Sequence, residues 1–537
     1  MNGVPPSFLL SSRDPLPEAT VFGHAFQGVD LAIGQEGAAA YATARGRQVE
    51  PGGDGAYVAV ANSPRGVAIG TDRAGYGRLF EYRHGSDWIL GTSLIEVVEQ
   101  AAKRRWPLTP NTDHFQTFLM RGSLGNQLVT HRTVFDQITL VPANRHLAVT
   151  KGWRRAKLEH HPYPDATGPG STSYPALLAE CISLLVGRMS TLLRSGVSIS
   201  SDITGGRDSR VILAALLCAH DHTGRKLGDL VRFTCSPRPA TDLPVAQDLS
   251  GRYDLGVNSR SGPTTVPRSA VDNYRLWRRE CLGVYGPIYL PNRASPEIGM
   301  GGAGGEAARL FYKQPTIDSL LKFRGRHFYS AEALDRVRKD LEVELRQLDT
   351  GFEAGLDPRI LHYRYFRDRL HGGRMSQLRT TIAPLASHVL RKASTALGAE
   401  LRERSQVIAD LMLNLAPELA EVPYETEAKS FDQRHHDDAV DVRFAVRQSD
   451  CTGQVFGQPL TPASPPATTD TAALPVLYEA FERAAWEVRS RPGFPEHIVE
   501  RAEPVARQAA ETGRFTHPAD AQPVHAVILA AEILRLS

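Results

Sequence analysis

The sequence predicts an α/β protein in two parts, a β-rich N-terminal sandwich followed by a parallel-sheet α/β domain with a helical extension. Three observations carry this. Between about residues 20 and 155, short apolar runs at 56–61, 66–70, 79–82 and 88–92 are punctuated by Gly and Asp, the pattern of strands joined by turns. At 161–173 the composition shifts abruptly to Pro, Gly, Ser and Thr, which prevent regular pairing and mark a connector. Beyond it, strand-length and helix-length runs alternate, as in a parallel sheet covered on both faces.

The expected domains are 1–160 and 174–537, joined by a linker at 161–173. With 537 residues, the chain is long enough for two sizeable cores. In the first part the clearest helix is 94–102, and few others are expected. After the connector, 174–193 has apolar residues at helical spacing and reads most simply as a helix packed on the sheet. A β-branched strand at 197–203 leads to a helix at 209–220, a strand at 230–234, a helix from about 243 to 253 and further helices beyond 271. From about 357 the chain reads as almost wholly helical, up to a Pro/Thr-rich stretch at 460–471 and a last helical tail. No internal repeat is visible.

Composition narrows the function classes. The chain is 42% hydrophobic and 23% charged, with 62 basic against 59 acidic side chains and a net charge of +3. Neither a nucleic-acid partner nor a membrane surface is indicated by that balance. The five cysteines, Cys181, Cys218, Cys235, Cys281 and Cys451, are scattered without metal-like or redox-motif spacing, which points to a reducing, cytoplasmic setting. The N-terminus lacks a basic flank with an apolar core, and the longest apolar run, 211–219, is a helix-sized piece of core. The paired histidines His160-His161 and His435-His436 are expected to be solvated.

The most informative segment is Thr204-Gly205-Gly206-Arg207-Asp208-Ser209. A strand runs into a two-glycine turn that opens a helix. Paired glycines let backbone N–H groups converge on a phosphate, and the helix start adds partial positive charge. A strand-to-helix turn capped by Asp or Ser would use some of the same residues. The order hydroxyl, Gly-Gly, x, Asp, Ser goes further, because it supplies an anion cradle and a metal-binding acid consecutively. It differs from a Walker loop, which needs Gly-Lys-Ser/Thr. Asp202, just before it, either joins a metal site or caps a turn.

This loop resembles the SGGxDS loop of the asparagine synthetase-like amide ligases, with Thr204 in place of the first Ser and with Arg207 and Arg210 as departures. Those arginines either touch polyphosphate or are solvated. Residues 231–235 resemble the family's second strand, whose backbone and following residues receive the adenine, which implicates Phe233 and Thr234; Asp242 falls where an acid opens the next helix. Residues 301–306, Gly-Gly-Ala-Gly-Gly-Glu, resemble the family's SGxGxDE loop, placing Gly302 beside ATP and Glu306 at the second metal-binding acid. The resemblance implies ATP and Mg²⁺, with Asp208 and Glu306 as the metal ligands. Residues 422–431 resemble the region that carries the family's late lysine, implicating Lys429 as the catalytic residue; an exposed surface lysine fits the same text.

Residues 54–93 are similar to the family's glutaminase domain, a sandwich of the N-terminal-nucleophile (Ntn) type, so the implied fold is Ntn-type sandwich plus PP-loop domain of the adenine nucleotide α hydrolase-like kind. Glutamine hydrolysis there needs a cysteine exposed after Met removal. Position 2 is Asn2, no cysteine precedes Cys181, and the glutamine-binding Asn-Gly-Glu segment is absent from the first fifty residues. A degenerate glutaminase domain is expected. Ala303 stands where family members carry a Glu or Tyr concerned with proton handling, so a base elsewhere, or a different nucleophile, is implied.

The resemblance therefore implies an AMP-forming C–N ligase that activates a small-molecule or peptide carboxylate for attack by ammonia or an amine, as in the related β-lactam synthetases and lasso peptide cyclases. A homodimer or a biosynthetic partner protein is compatible with it. Glutamine-independent asparagine synthesis and a nucleotide-binding scaffold are the alternatives. Sulfur transfer to tRNA would need paired cysteines and a basic face, and the chain has neither.

Overall fold

The computed structural model describes residues 6–120, 122–124, 127–152, 155–164, 172–220, 225–237, 240–263, 265–442, 452–459 and 472–537. Asn2, Cys451, residues 165–171 of the connector and the stretch 460–471 lie outside them. The architecture is mixed α/β, with two antiparallel-rich sheets in the N-terminal region and a four-stranded parallel sheet downstream.

The smaller N-terminal sheet has the order Leu9–Ser11, Asp87–Gly91, Phe80–His84, Ile138–Leu140. The larger runs Lys157–Pro162, Arg145–Thr150, Gly66–Thr71, Asp54–Ser63, Thr20–Gln27, Asp30–Ile33, Val455–Phe456. Strand periodicity explains how they pack, because alternate side chains face opposite sides. Val58 and Val60 join Val67, Ile69 and Val149 against Trp88 and Leu90 of the smaller sheet. Tyr57 and Ala59, on the other face, pack with Ala38 and Tyr41 of the helix Gly34–Arg45.

That helix was not expected. Its Gly- and Ala-rich text lacks a strong apolar stripe, and it is small side chains that let it sit close: a Cβ on Gly37 would lie 2.4 Å from the Phe456 carbonyl oxygen. The strand Lys157–Pro162 also takes in the first two residues of the expected linker.

The parallel sheet has the order Val231–Thr234, Ile199–Asp202, Ile298–Met300, Thr381–Ile382, with every neighbour pair parallel. Its first two strands and the helices Tyr174–Arg194, Arg207–His220 and Asp242–Tyr253 lie where the sequence places them. Thr381–Ile382 is a short strand within the region beyond 357 that the sequence reads as almost wholly helical; two residues are too few to display a strand period.

Tyr174–Arg194 is the one helix among the described residues long and apolar enough to cross a membrane, and 72% of its apolar window is buried. It packs on Arg207–His220 and meets Phe26, Leu31 and Ile33 of the larger sheet. Its Arg188 pairs with buried Asp54 at 2.8 Å. The tail helices Ala473–Ser490, His497–Thr512 and Gln522–Leu536 turn back to cover the smaller sheet, where Phe481, Val499 and Val527 share a core with Phe80, Tyr82, Ile138 and Trp277. Apolar cores thus join residues from both sides of the connector.

Candidate functional site

The strand Ile199–Asp202 ends at the carboxyl edge of the parallel sheet, and the turn after it enters the helix Arg207–His220. Inside the turn, the Thr204 hydroxyl lies 2.9 Å from the Ser209 hydroxyl and accepts the Gly206 N–H at 3.2 Å. Asp242 accepts the Gly205 N–H at 2.8 Å. Burial, then the neighbouring Glu425 carboxyl, pushes Asp242 above the usual carboxylate range. A Cβ on Gly205 would lie 2.5 Å from the Glu425 Cβ, so this glycine permits close approach of the 422–431 segment. The first N–H groups of a helix have no intrahelical partner and face outward from its start.

The second glycine-rich loop follows Ile298–Met300 and packs on the first. A Cβ on Gly302 would sit 3.0 Å from the Asp208 Cβ, and one on Gly305 2.5 Å from the Asp208 carboxyl carbon. Gly304 has φ +93° and would place a Cβ 2.3 Å from the Ala386 nitrogen. These glycines are where they are because Asp208 and the 385–386 backbone occupy the space a side chain would need. Across the gap stands Glu306, whose carboxylate accepts the Tyr363 hydroxyl. Arg309 lies 3.5 Å from Asp208 and 3.7 Å from Glu306. Burial raises the Asp208 pKa, Arg309 opposes that shift, and Glu306 adds to it.

These loops border a cavity of about 570 Å³. Among the expected site residues, Thr204, Gly206, Arg207, Asp208, Ser209, Gly302, Glu306 and Lys429 line it, together with Ala303 and Asp202. Gly205 lies in the same turn, with its N–H turned to Asp242. The sequence reading assigned no role to Arg309, Tyr363, Asp368, His371, Arg374 or Arg379, which also line the cavity. Tyr363, Asp368 and His371 belong to the π-helical stretch Tyr363–Gly372, a conformation frequent at functional sites and invisible in apolar periodicity. Only Arg309 had a local signal, three residues after Glu306.

Several expectations change. The Phe233 side chain is 1% exposed and belongs to the core, because alternation on its strand turns it inward, which leaves only its backbone for the adenine contact that the resemblance implies. Thr234 donates to Asp202 at 2.9 Å and is outside the lining. Arg207 is neither solvated nor aimed at the cavity centre, since its guanidinium donates to the carbonyls of Lys429, Ser430 and Arg404. Arg210 is buried, donates to the carbonyls of Leu419, Val422 and Pro423, and stacks on Tyr424 at 3.7 Å. Lys429 reaches the cavity wall while its ammonium pairs with Glu425. His161 and His436 are exposed as expected, whereas His160 is half-buried against Glu81 and His435 is buried in a reciprocal cap with Asp432.

The residues present suit a magnesium ion carried by a polyphosphate. Mg²⁺ is typically held by one or two carboxylates, with waters and phosphate oxygens completing its shell. Asp208 and Glu306 supply two carboxylates, and Asp208 Oδ1 is buried without a hydrogen-bond partner among the described residues. No group of three or more His, Cys, Asp or Glu side chains forms an all-protein metal cage among the described residues. No family model matches the chain, and no curated protein shows significant similarity to it.

Proposed function

We propose that this chain is an ATP-dependent, AMP-forming amide ligase of the asparagine synthetase-like kind, without glutaminase activity of its own. The observation that carries the reading is the close packing of two glycine-containing loops around Asp208, with Glu306 facing it over the same cavity. Two chain segments nearly a hundred residues apart build one anion- and metal-suited cleft at the carboxyl edge of a parallel sheet, where α/β folds bind nucleotides.

In this proposal the 204–209 turn and the start of its helix receive the phosphates of ATP, and Asp208 and Glu306 hold Mg²⁺. The metal's chemistry there would be charge neutralisation on the phosphates and the departing pyrophosphate. Lys429, carried on the segment latched by Arg207, adds positive charge at the cavity wall. A substrate carboxylate oxygen attacks the α-phosphorus, an O–P bond forms, and pyrophosphate leaves. The amine then attacks the acyl carbon, the C–N bond forms, AMP departs and the amine gives up a proton.

For that proton the cavity offers two carboxylates, with Ala303 unable to serve: Asp202, exposed and with one oxygen engaged by Thr234, and Asp368, buried with its oxygens accepting from Tyr76 and Arg391. Asp208 and Glu306 belong to the metal side. Burial pushes Asp368 up, against the pull of Arg391 at 3.1 Å, a shift toward the range useful for a base. His371 is pushed well below its ordinary value by burial and held neutral. Its Nδ1 lies beside the Tyr285 hydroxyl and 3.5 Å from the Arg374 guanidinium; in the tautomer with the hydrogen on Nε2, His371 would be a donor to substrate.

The substrates proposed are a small-molecule or peptide carboxylate and ammonia or an amine, in a cytoplasmic, specialised biosynthetic setting. The test is release of labelled pyrophosphate from Mg·ATP against pools of amino acids, small carboxylic acids and peptides, comparing the native chain with Asp208→Ala. Substrate-dependent release lost in the variant is the expected result. Cleavage to ADP and phosphate would overturn the mechanism.

A further inference from the structure

We propose that Arg309 is a resident counter-ion for Asp208 and Glu306, one that keeps free divalent metal out and moves onto the phosphates when metal arrives with nucleotide. This rests on the nucleotide-binding role proposed above for the same cleft.

The geometry is that of a shared, loosely held cation. The terminal Nη2 of Arg309 stands 3.5 Å from Asp208 Oδ2 and 3.7 Å from Glu306 Oε1. Both separations exceed the 2.7–3.2 Å of a direct N–H···O bond, so the guanidinium neutralises both carboxylates without the forked contact that would lock it to one. The other oxygens are disposed differently: Glu306 Oε2 is held by the Tyr363 hydroxyl, and Asp208 Oδ1 is buried without a hydrogen bond among the described residues.

Two carboxylates facing one cleft repel one another, and a buried uncompensated charge is costly. Arg309 relieves that before any ligand enters. It cannot keep its place once a divalent ion sits between the same oxygens, because metal–oxygen bonds of about 2 Å would put two like charges within contact distance. It leaves the 3-10 turn Gly305–Ala308 on extended backbone, and its long side chain lines the same cavity as the 204–209 turn. A polyphosphate there is the anion to which it can transfer. Metal alone must displace the guanidinium without offering it a new partner, whereas metal on a polyphosphate supplies one. Binding of the two is therefore linked, and linkage is reciprocal.

Mn²⁺ binding followed by electron paramagnetic resonance reads this without turnover, using Mn²⁺ alone and Mn²⁺ with α,β-methylene-ATP on the full chain. The native protein is expected to bind Mn²⁺ at least about ten-fold more tightly with the analogue than without it. Arg309→Ala and Arg309→Gln are expected to bind Mn²⁺ alone at least about ten-fold more tightly than the native chain, and to lose most of the enhancement by the analogue. Arg309→Lys keeps the charge and should keep the exclusion. Arg309→Gln, closer in shape, carries the test if the Ala variant does not fold. Unchanged Mn²⁺ affinity in folded Ala or Gln variants, with Mn²⁺·analogue binding intact in the native chain and lost in Asp208→Ala, would overturn the role of Arg309 alone. Native protein that binds no Mn²⁺·analogue would overturn the nucleotide-binding role, and the Arg309 proposal with it.

Discussion

Arg207 Nε donates to the carbonyl oxygen of Lys429 at 2.6 Å, and its Nη2 donates to that of Ser430 at 2.9 Å. A residue of the 204–209 turn thereby fixes the backbone of the segment that brings a cation to the cavity wall. Phe431 stacks on the same guanidinium at 4.8 Å. Arg207→Ala should lower the unfolding free energy by roughly 1.5–3 kcal/mol, the scale of hydrogen bonds to a charged group, and slow pyrophosphate release about ten-fold through loss of Lys429 positioning. Arg207→Lys should recover little, because an ammonium cannot fork to two carbonyls. Urea denaturation and initial rates check both; a native rate in Arg207→Ala would mean Lys429 does not depend on this latch.

The close approach of the two loops makes Gly305→Ala a local test. Its new Cβ would meet the Asp208 carboxylate at 2.5 Å, and a displacement of about 1 Å at a reacting site can cost about 10²-fold in rate. A loss of that order in pyrophosphate release is expected, with folding retained by circular dichroism. Gly251→Ala is the control, since it lies in the helix Asp242–Tyr253 with nothing within 4 Å of its Cβ. That change should stabilise the protein by up to about 1 kcal/mol and leave the rate alone.

The shared core of the smaller sheet and the tail helices predicts that neither half survives alone. Residues 174–537 expressed without the N-terminal region would uncover Leu529, which meets Gly283 beside Leu94, and His525, stacked on Phe118, both at most 1% exposed in the full chain. Uncovering a buried apolar side chain costs about 1.5–3 kcal/mol, and a few consume a typical folding stability of about 5–15 kcal/mol. Size-exclusion chromatography should find this fragment aggregated, and likewise a chain truncated before 473. A monodisperse, cooperatively melting fragment would refute the joint core.

Asp72 gives a pH signature. Burial raises its pKa to about 6 from an ordinary 3.8, even though the N–H groups of Gly77, Tyr76 and Tyr57 pull it down. The folded state therefore holds this proton more tightly than the unfolded chain. Its contribution is fully present below pH 4 and is lost as pH rises to about 6, a change of about 3 kcal/mol by linkage. Unfolding free energies measured from pH 4 to 6 should fall more steeply with pH in the native protein than in Asp72→Asn. Equal slopes would contradict the shift.

Much of the cleft was legible because its chemistry is written in consecutive residues. Thr204 to Ser209 state a strand, a turn and a helix start within one short stretch, and the glycines at 301–305 announce a backbone that something approaches closely. The alternation of strand and helix from 174 to 253 declared a parallel sheet for the same reason: each element shows its period within its own length. What approaches those glycines, and what else lines the cavity, was decided by tertiary packing. Phe233 turns inward because strand alternation and a hydrophobic interior outweigh its sequence neighbours. Arg207 and Arg210 find backbone carbonyls some two hundred residues away, and Tyr363, Asp368 and His371 reach the cavity on a π-helical stretch that no apolar stripe foretells. The helix Gly34–Arg45 exists because its small residues fit beneath a sheet completed by Val455–Phe456. Local order sets turns, periods and which side chains stand adjacent; which distant carbonyl, carboxylate or apolar face meets them depends on burial and charge compensation, and those exist only once the chain has folded.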